Sequence, residues 1–240
     1  NSGFVMPTPL SLGIEVSIRK TRTGFIEGKT ELFKETKTEI NSNVDGTWLD
    51  FIKGAIKVFY EEFPNCSKKL EEGIQVAVTS NLPSGSGLSS SAALEIALLR
   101  AINKIENQNL SEIKLAKLAQ KIEHKFIGTL CGLMDQMVVA KGIMNKAMFF
   151  DTKYEKTVNL SLFSNFEFLI VHSGSQRSLS SSLYNERRNE CEEASKILNI
   201  ENLRDAKFTM LDKLGGKLLK RARHVISENE RVQICLNALQ

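Results

Sequence analysis

A run of glycine and serine residues from Pro83 to Ala93 constrains the fold more than any other feature of the chain. The segment before it, Ile74 to Thr79, alternates apolar and polar residues, as a short strand does. The segment after it predicts a helix, because apolar side chains recur there at spacings of three and four. These apolar residues are Leu94, Ala97, Leu98, Ala101, Ile102 and Ile105. The sequence therefore predicts a strand, a loop and a helix in that order.

Such a loop at the start of a helix is suited to bind an anion, because free backbone N–H groups and the helix dipole point at it. Gly85 and Gly87 allow a positive φ and a close approach of the backbone to a ligand. The hydroxyls of Ser89 to Ser91 suit phosphate oxygens or a bound Mg²⁺. The loop is neither a P-loop nor a G-x-G-x-x-G turn. From these residues alone, a phosphate site and a serine-rich turn that caps a helix are equally open.

Composition and charge exclude several other classes of protein. The chain has 240 residues, of which 42% are hydrophobic and 25% charged, as is typical of a globular protein with a sizeable core. Its net charge of +4 suits an anionic ligand but is too small to indicate nucleic-acid binding. The four cysteines form no C-x-x-C pair and are expected to be free thiols. Without a spanning apolar run or a signal peptide, we expect a soluble, cytoplasmic monomer with no membrane partner.

The remaining patterns predict an α+β fold. The first forty residues alternate as the strands of a meandering sheet do. Ala147 to Phe150 and Phe166 to His172 predict two further strands, and residues 151–164 predict a connection between them. Helical spacing predicts helices at Trp48 to Phe63, after a cap at Ser111, at Asp135 to Ala140, at Ser180 to Leu198, and at Phe208 to Leu236 with a break at Gly215-Gly216.

Two acidic residues lie where an apolar residue would be expected. Glu123 lies at the edge of the apolar stripe of the helix after Ser111, and is either a boundary residue in a surface ion pair or an acid of a site. His124 points to the opposite side and is interpreted as an exposed histidine without a role. Asp135 lies in an apolar segment, where it is either a helix N-cap or a reactive acid.

These segments together resemble the GHMP kinases and, among them, the galactokinase family. Pro83 to Ala93 resembles their nucleotide loop, and Glu123-His124 and Cys131-Gly-Leu-Met-Asp-Gln136 resemble the galactokinase E-H and C-G-I-M-D-Q segments. The resemblance implies the GHMP kinase fold. Residues 1–153 would be an ATP-binding domain, a mixed sheet with helices on one face built on a ribosomal-protein-like βαβ unit. Residues 154–240 would be part of a ferredoxin-like C-terminal domain.

The resemblance also implies an activity and roles for single residues. The activity is ATP-dependent phosphorylation of the anomeric hydroxyl of a sugar, with galactose the first candidate. Ser91 and Glu123 would hold Mg²⁺, and Asp135 would be the catalytic acid or base. Gly132, Asp135 and Tyr184 would contact the sugar. The residues implied to bind ATP are Trp48, Pro83, Gly85, Ser86, Gly87, Leu88, Ser89, Ser90 and Ser91.

The ends of the chain depart from the family pattern. Ser180 to Glu193 resembles the family's S-S-x-Y-x-x-R-R-x-x-C-E-E stretch, but Arg177 replaces an expected histidine. Arg187 and Arg188 are interpreted as a solvated helix face. The family's first motif, with its arginine and E-H-x-D group, and its glycine-rich third motif are missing. Because the chain begins at Asn1 rather than Met, we expect a preceding segment.

Several alternatives stay open. The missing upstream motif supports a non-catalytic galactokinase-like sensor, or the remnant of a decayed gene. Another GHMP kinase, acting on mevalonate, homoserine or a heptose, is disfavoured by the Cys131 to Gln136 segment and by the region around Tyr184. Trp48 either stacks on adenine or packs in the core.

Overall fold

The computed structural model describes residues 1–83, 85–163, 167–172, 174 and 181–240, with side chains for all of these except residues 181 and 182. Within these ranges the strands are β1 (Phe4–Val5), β2 (Ile14–Lys20), β3 (Phe25–Thr30), β4 (Thr36–Glu39), β5 (Ile74–Ser80), β6 (Lys146–Asp151) and β7 (Lys156–Ser161). The α-helices are α1 (Leu49–Glu62), α2 (Ser90–Ile105), α3 (Glu112–Ile122), α4 (Met134–Lys141), α5 (Ser181–Ile197) and α6 (Gly216–Leu239). A π-helical turn, Glu123–Ile127, continues α3, and two 3-10 turns span Leu203–Asp205 and Phe208–Lys213.

Strand β5 leads directly to the glycine and serine loop and lies inside a four-stranded sheet of order β2-β5-β3-β4. It pairs antiparallel with β2 and parallel with β3, so the sheet is mixed, as the family resemblance implies. The chain between the parallel strands includes α1, as a crossover connection requires. Ile74, Val76 and Val78 are buried, because alternate side chains of a strand point to the same face. This face belongs to the main apolar core, which also contains side chains of α1, α2, α3 and α4.

A second sheet has the order β1-β6-β7 and is antiparallel throughout. The predicted connection at residues 151–164 is wrong, because β7 returns along β6 as a hairpin. Strand β7 escaped detection because Leu160 is its one fully buried side chain, so its alternation is weak. The predicted strand Phe166 to His172 is also not found. Residues 167–172 form no strand and no ladder with the described residues, and Phe166 lies outside them.

The C-terminal helices form a second apolar cluster. It joins α5, the two 3-10 turns and α6, and its buried members are Cys191, Ala194, Leu198, Leu203, Ala206, Leu211, Leu214, Ala222, Val225 and Ile226. The predicted break before α6 is confirmed, since the helix begins at Gly216. The division of the chain at residues 153 and 154 stays a prediction.

Polar contacts join the second cluster to the small sheet. Arg204 forms a bidentate ion pair with Asp151, with 2.8 Å between Nη2 and Oδ2, and its guanidinium lies 4.2 Å from the ring centre of Phe4. The backbone N–H of Phe4 donates to Oδ1 of Asn229 on α6 at 2.9 Å. Within the described part of the chain, no helix is both long enough and apolar enough to cross a bilayer.

Candidate functional site

Among the described residues of the loop between β5 and α2, three have left-handed backbone conformations. Gly85 and Gly87 have φ values of 66° and 74°, which confirms the conformational role expected of these glycines. Ser89, directly before α2, has a φ of 57°, which is unusual for a residue with a side chain. Ser84 lies outside the described residues. The chain therefore turns sharply here and enters α2 through a strained residue, a feature that is common at ligand sites.

The N-terminus of α2 has no side-chain cap. Ser89 is the N-cap residue, but its hydroxyl accepts no capping hydrogen bond, and the first turn contains no acidic residue. The reading of the loop as a serine cap is therefore wrong for Ser89. Because α2 is 16 residues long, its amide groups and dipole favour an anion at this end.

Glu123 is held at the point where α3 changes its helical geometry. Ser111 caps α3, as predicted, by accepting a hydrogen bond from the N–H of Lys114 at 3.4 Å. The π-helical turn then begins at Glu123 and ends at Gly128, whose φ is 79°. Such turns inside helices are frequent at functional sites, because they re-aim the side chains that they carry. Glu123 is 6% exposed, so the reading of it as a surface ion-pair residue is wrong.

The carboxylate of Glu123 connects the loop to a second acid. Burial raises the pKa of Glu123, and the charge of Asp135 raises it further. Hydrogen bonds from the side chains of Ser91 and Thr129, together with the nearby His124, act in the opposite direction without cancelling the shift. The last serine of the loop therefore contacts one predicted site acid, and the other lies close enough to affect its charge.

Asp135 lies in the first turn of α4, after the N-cap residue Leu133. The alternative that Asp135 is itself the N-cap is therefore wrong. The charge of Asp135 also raises the pKa of Glu95, so three carboxyl groups from α2, the π-helical turn and α4 lie together.

Glu95 is an acid of this cluster to which the sequence analysis gave no role. Its side chain is fully buried, and neither carboxyl oxygen has a hydrogen-bond partner among the described residues. Burial and then the charge of Glu123 hold its pKa well above the usual range. Gln136 is buried beside it, and its Oε1 also has no partner in the described structure. The available signal was an acid between Leu94 and Ile96 on a helix face that is otherwise apolar.

The structure contradicts the prediction that His124 is an exposed residue without a role. Its ring is partly buried, and Nε2 lies 2.9 Å from the carbonyl oxygen of Cys131, so it is not an exposed residue without a role. Gln120 donates to the same carbonyl at 3.1 Å. These contacts fasten the segment between the π-helical turn and α4. Burial, with the charge of Glu123, raises the pKa of the Cys131 thiol to about 12, so the thiol is protonated at neutral pH.

Two of the predicted sugar-binding residues, Gly132 and Tyr184, contact each other. The N–H of Gly132 donates to the hydroxyl of Tyr184 on α5 at 3.2 Å, and Tyr184 is exposed. A Cβ at Gly132 would meet no atom within 4 Å, so open space adjoins the backbone beside Asp135. Arg188 is exposed, as predicted for a solvated helix face, and its guanidinium also donates to the carbonyl of Leu130 at 3.0 Å. Arg177 lies outside the described residues.

Trp48 packs against the edge of the four-stranded sheet. It is partly buried at the start of α1, its Nε1 donates to the hydroxyl of Thr36 at 3.3 Å, and its ring stacks with Phe33 at 6.4 Å between ring centres. A Cβ at Gly28 would lie 2.5 Å from the Trp48 ring, so the two are in close contact. Core packing is therefore part of its role, and the stacking of adenine on it stays a prediction.

Comparison with known proteins places this arrangement among kinases. Residues 50–142 match the family model described as GHMP kinases N terminal domain. A galactokinase of Thermotoga petrophila is 37% identical over 243 residues, which cover 100% of this chain and 67% of that protein. The structure of Lactococcus lactis galactokinase complexed with galactose superimposes with a TM-score of 0.86 at 26% identity, over 100% of this chain and 65% of that one. The chain thus spans about two thirds of the length of these relatives.

A more distant structure is similar in its fold alone. The mevalonate kinase of Methanococcus jannaschii superimposes with a TM-score of 0.57 at 17% identity, over 95% of this chain and 73% of that one.

Proposed function

The chain belongs to the galactokinase family of GHMP kinases, and we propose that the protein transfers the γ-phosphoryl group of ATP to the anomeric hydroxyl of galactose. The fold and the family, both predicted from the sequence, are confirmed by these relatives. One observation carries the proposal. Ser91, at the end of the loop, lies close enough to Glu123 to lower its pKa, and Asp135 lies close enough to raise it. This proximity supports a phosphate site and a pair of acids within reach of one small substrate.

The donor set supports a Mg²⁺ ion held by Glu123 and Ser91. Among the described residues, no three His, Cys, Asp or Glu side chains are arranged to hold a metal by themselves. Mg²⁺ does not require such a cage, because it is usually bound through one or two carboxylates, water and the phosphates of a substrate. The buried carboxylate of Glu123, next to two further acids, would be stabilised by a cation. A bound Mg²⁺ would neutralise charge on the β- and γ-phosphates.

The loop and the start of α2 would bind the triphosphate. The uncapped N–H groups of α2 and the positive end of its dipole would contact phosphate oxygens, with no acid in the first turn to repel them. Gly85 and Gly87 have a positive φ, at which a residue with a Cβ would be strained. Without a Cβ, their backbone N–H groups would approach the nucleotide closely. Phosphoryl transfer depends mainly on positioning and charge stabilisation, and these groups supply both.

Asp135 would orient the attacking hydroxyl and accept its proton. It lies next to the open space at Gly132, and Tyr184 faces the same backbone from α5. A sugar bound there would approach Asp135 from one side and the phosphates from the other. A strong base is not required, because in a loose transition state the proton leaves late.

A coupled ATPase assay on the full open reading frame tests this proposal. Galactose, glucose, mannose and mevalonate would be compared at saturating ATP and Mg²⁺, and we expect turnover with galactose and none with mevalonate. Turnover with mevalonate alone would move the assignment to another branch of the GHMP kinases. Nucleotide binding without turnover of any substrate would support the non-catalytic sensor.

A further inference from the structure

Residues 128–132 form the loop that joins Glu123 to Asp135 along the chain, and we call them the acid linker. Residues of α3 and of the π-helical turn contact the backbone of the acid linker from one side. The N–H of Thr129 donates to the carbonyl of Glu123 at 3.0 Å, and the carbonyl of Cys131 receives the contacts from Gln120 and His124 described above. The acid linker therefore connects the turn that carries Glu123 to the helix that carries Asp135.

Helix α5 fastens the other side of the acid linker. Asn185 uses both ends of its amide: Nδ2 donates to the carbonyl of Gly128 at 3.1 Å, and Oδ1 accepts from the N–H of Leu130 at 3.0 Å. Arg188, three residues further along the helix, donates to the carbonyl of Leu130 at 3.0 Å. The two side chains lie on one face of α5, because residues three apart on a helix are neighbours.

Packing holds α5 beyond Arg188. Cys191 and Ala194 of α5, and Leu198 directly after it, are buried in the second apolar cluster. Glu192 accepts from Nε of Arg188 at 2.9 Å, which orients the guanidinium towards the acid linker. Each contact with the acid linker is made to backbone atoms, so it constrains the position of the loop whatever side chains the loop carries.

We infer that Asn185 and Arg188 are positioning residues, which set the separation of Glu123 and Asp135 by holding the acid linker against α5. The inference rests on the proposed function and extends it to the C-terminal helices. A shift of about 1 Å at a reacting group can cost about 100-fold in rate, so contacts that add little to stability can still matter for transfer. A solvated helix face, by contrast, would tolerate loss of both side chains.

The test compares variants of the full open reading frame. We expect the double variant N185A/R188A to lower kcat by about 10- to 100-fold, while the dissociation constant for ATP changes less than about 2-fold. R188K keeps a donor for the carbonyl of Leu130 and should recover part of the rate. The control E186Q removes a carboxylate that pairs with Lys217 on α6, and should have the kcat of the wild type.

Hydrogen exchange gives a readout that does not depend on catalysis. The N–H of Leu130 should exchange at least about 10-fold faster in N185A, because Asn185 is its acceptor. The N–H of Thr129 should keep its protection, because it donates to Glu123. If the wild type phosphorylates no sugar, the proposed function fails, and this comparison still tests the contact.

Three results would overturn the inference. They are an unchanged kcat in N185A/R188A, an unchanged exchange rate at Leu130 in N185A, and a loss of kcat that follows general unfolding in far-UV circular dichroism. A lower kcat in N185A/R188A with a native far-UV spectrum, together with faster exchange at Leu130 in N185A, would support it.

Discussion

Glu106 and Glu123 are buried to almost the same extent, at 4% and 6% exposure, yet their pKa values shift in opposite directions. Glu106, just after α2, accepts hydrogen bonds from the hydroxyl of Tyr60 at 2.7 Å, from the N–H of Lys69 at 2.8 Å and from the hydroxyl of Ser67. Burial alone would raise its pKa, but these donors outweigh burial and lower it. Its negative charge is therefore satisfied within the protein.

Glu123 and Glu95, the acids near the loop, have raised pKa values instead. Glu123 has hydrogen-bond donors in Ser91 and Thr129, but burial and the charge of Asp135 dominate, and the pKa rises. Glu95 has no hydrogen-bond partner among the described residues, and its pKa is raised further. Glu106 therefore stabilises the fold as a carboxylate, whereas the fold disfavours the charged forms of Glu95 and Glu123, which a bound cation could stabilise. Perturbed acids of this kind often mark functional sites.

The largest effect that would sharpen this contrast is expected at Asp135. D135N should lower kcat for galactose by about 10²- to 10⁴-fold, because the amide cannot accept the hydroxyl proton. ATP binding should be retained. Coupled kinetics and a nucleotide titration on the full open reading frame measure both quantities, with D212N, at an exposed position of the 3-10 turn Phe208–Lys213, as the control. A kcat within about 3-fold of the wild type would exclude a catalytic role for Asp135.

A smaller but specific effect is expected at Glu123. E123Q should raise the Mg²⁺ concentration for half-maximal activity by at least about 10-fold, because a neutral amide is a weaker ligand for a hard cation. S91A should raise it less, since a hydroxyl contributes no charge. The control E61Q changes an exposed acid that pairs with Lys125. An unaltered Mg²⁺ dependence in E123Q would remove this residue from the metal site.

Glu106 should affect stability and leave catalysis alone. E106Q should lower the free energy of unfolding by about 2 kcal/mol, because a side-chain amide group would face donors that now bond a carboxylate. This corresponds to a Tm about 4–8 °C lower at pH 7, with kcat unchanged. Because the pKa of Glu106 is lowered in the fold, its contribution is present above its ordinary pKa of 4.5 and is lost as the pH falls through the folded pKa.

Thermal unfolding at pH 7 and pH 3 measures this difference, with E71Q as the exposed control. The Tm gap between E106Q and the wild type should narrow at pH 3. A Tm difference between E106Q and the wild type that is equal at pH 7 and pH 3 would contradict the role of the Glu106 carboxylate in stability. A loss of kcat in E106Q at neutral pH would show that Glu106 also affects catalysis.

The smallest effect is expected at Glu95, with the opposite sign. Its pKa is raised in the fold, so its charge costs no stability below the ordinary pKa of 4.5, and the cost grows as the pH rises towards the folded pKa. E95Q should therefore raise the Tm by about 2–4 °C at pH 8 and change it little at pH 4. E230Q, at an exposed position of α6, is the matched control. A lower Tm for E95Q at pH 8 would contradict the account of an uncompensated buried acid.

Local patterns in the sequence predicted the parts of the fold that depend on local interactions. The alternation of β5, the helical stripe of α2 and the cap at Ser111 are each contained in one short segment, and the structure confirms all three. Strand β7 was missed because its place is set by pairing with β6 more than by its own apolar pattern. Residues 167–172 of the strand predicted at Phe166 to His172 pair with no strand among the described residues, and an apolar run forms a strand only where another strand pairs with it.

The candidate site also has residues that the sequence predicted and contacts that it could not predict. Ser91, Glu123 and Asp135 were singled out from the loop, from acids in apolar surroundings and from the family resemblance. The contacts of Asn185 and Arg188 could not be predicted, because their partners lie more than fifty residues away in the chain. His124 was misjudged because the π-helical turn changes the direction that a regular helix would give its side chain.

The most direct test of the central claim is a crystal structure of the full open reading frame with Mg²⁺, a non-hydrolysable ATP analogue and galactose. The account predicts Mg²⁺ about 2.0–2.1 Å from a carboxylate oxygen of Glu123 and from the hydroxyl of Ser91. It also predicts phosphates against the residues from Gly85 to Ser91, and Asp135 within hydrogen-bond distance of the sugar. A metal bound away from Glu123, or a nucleotide outside this loop, would contradict it.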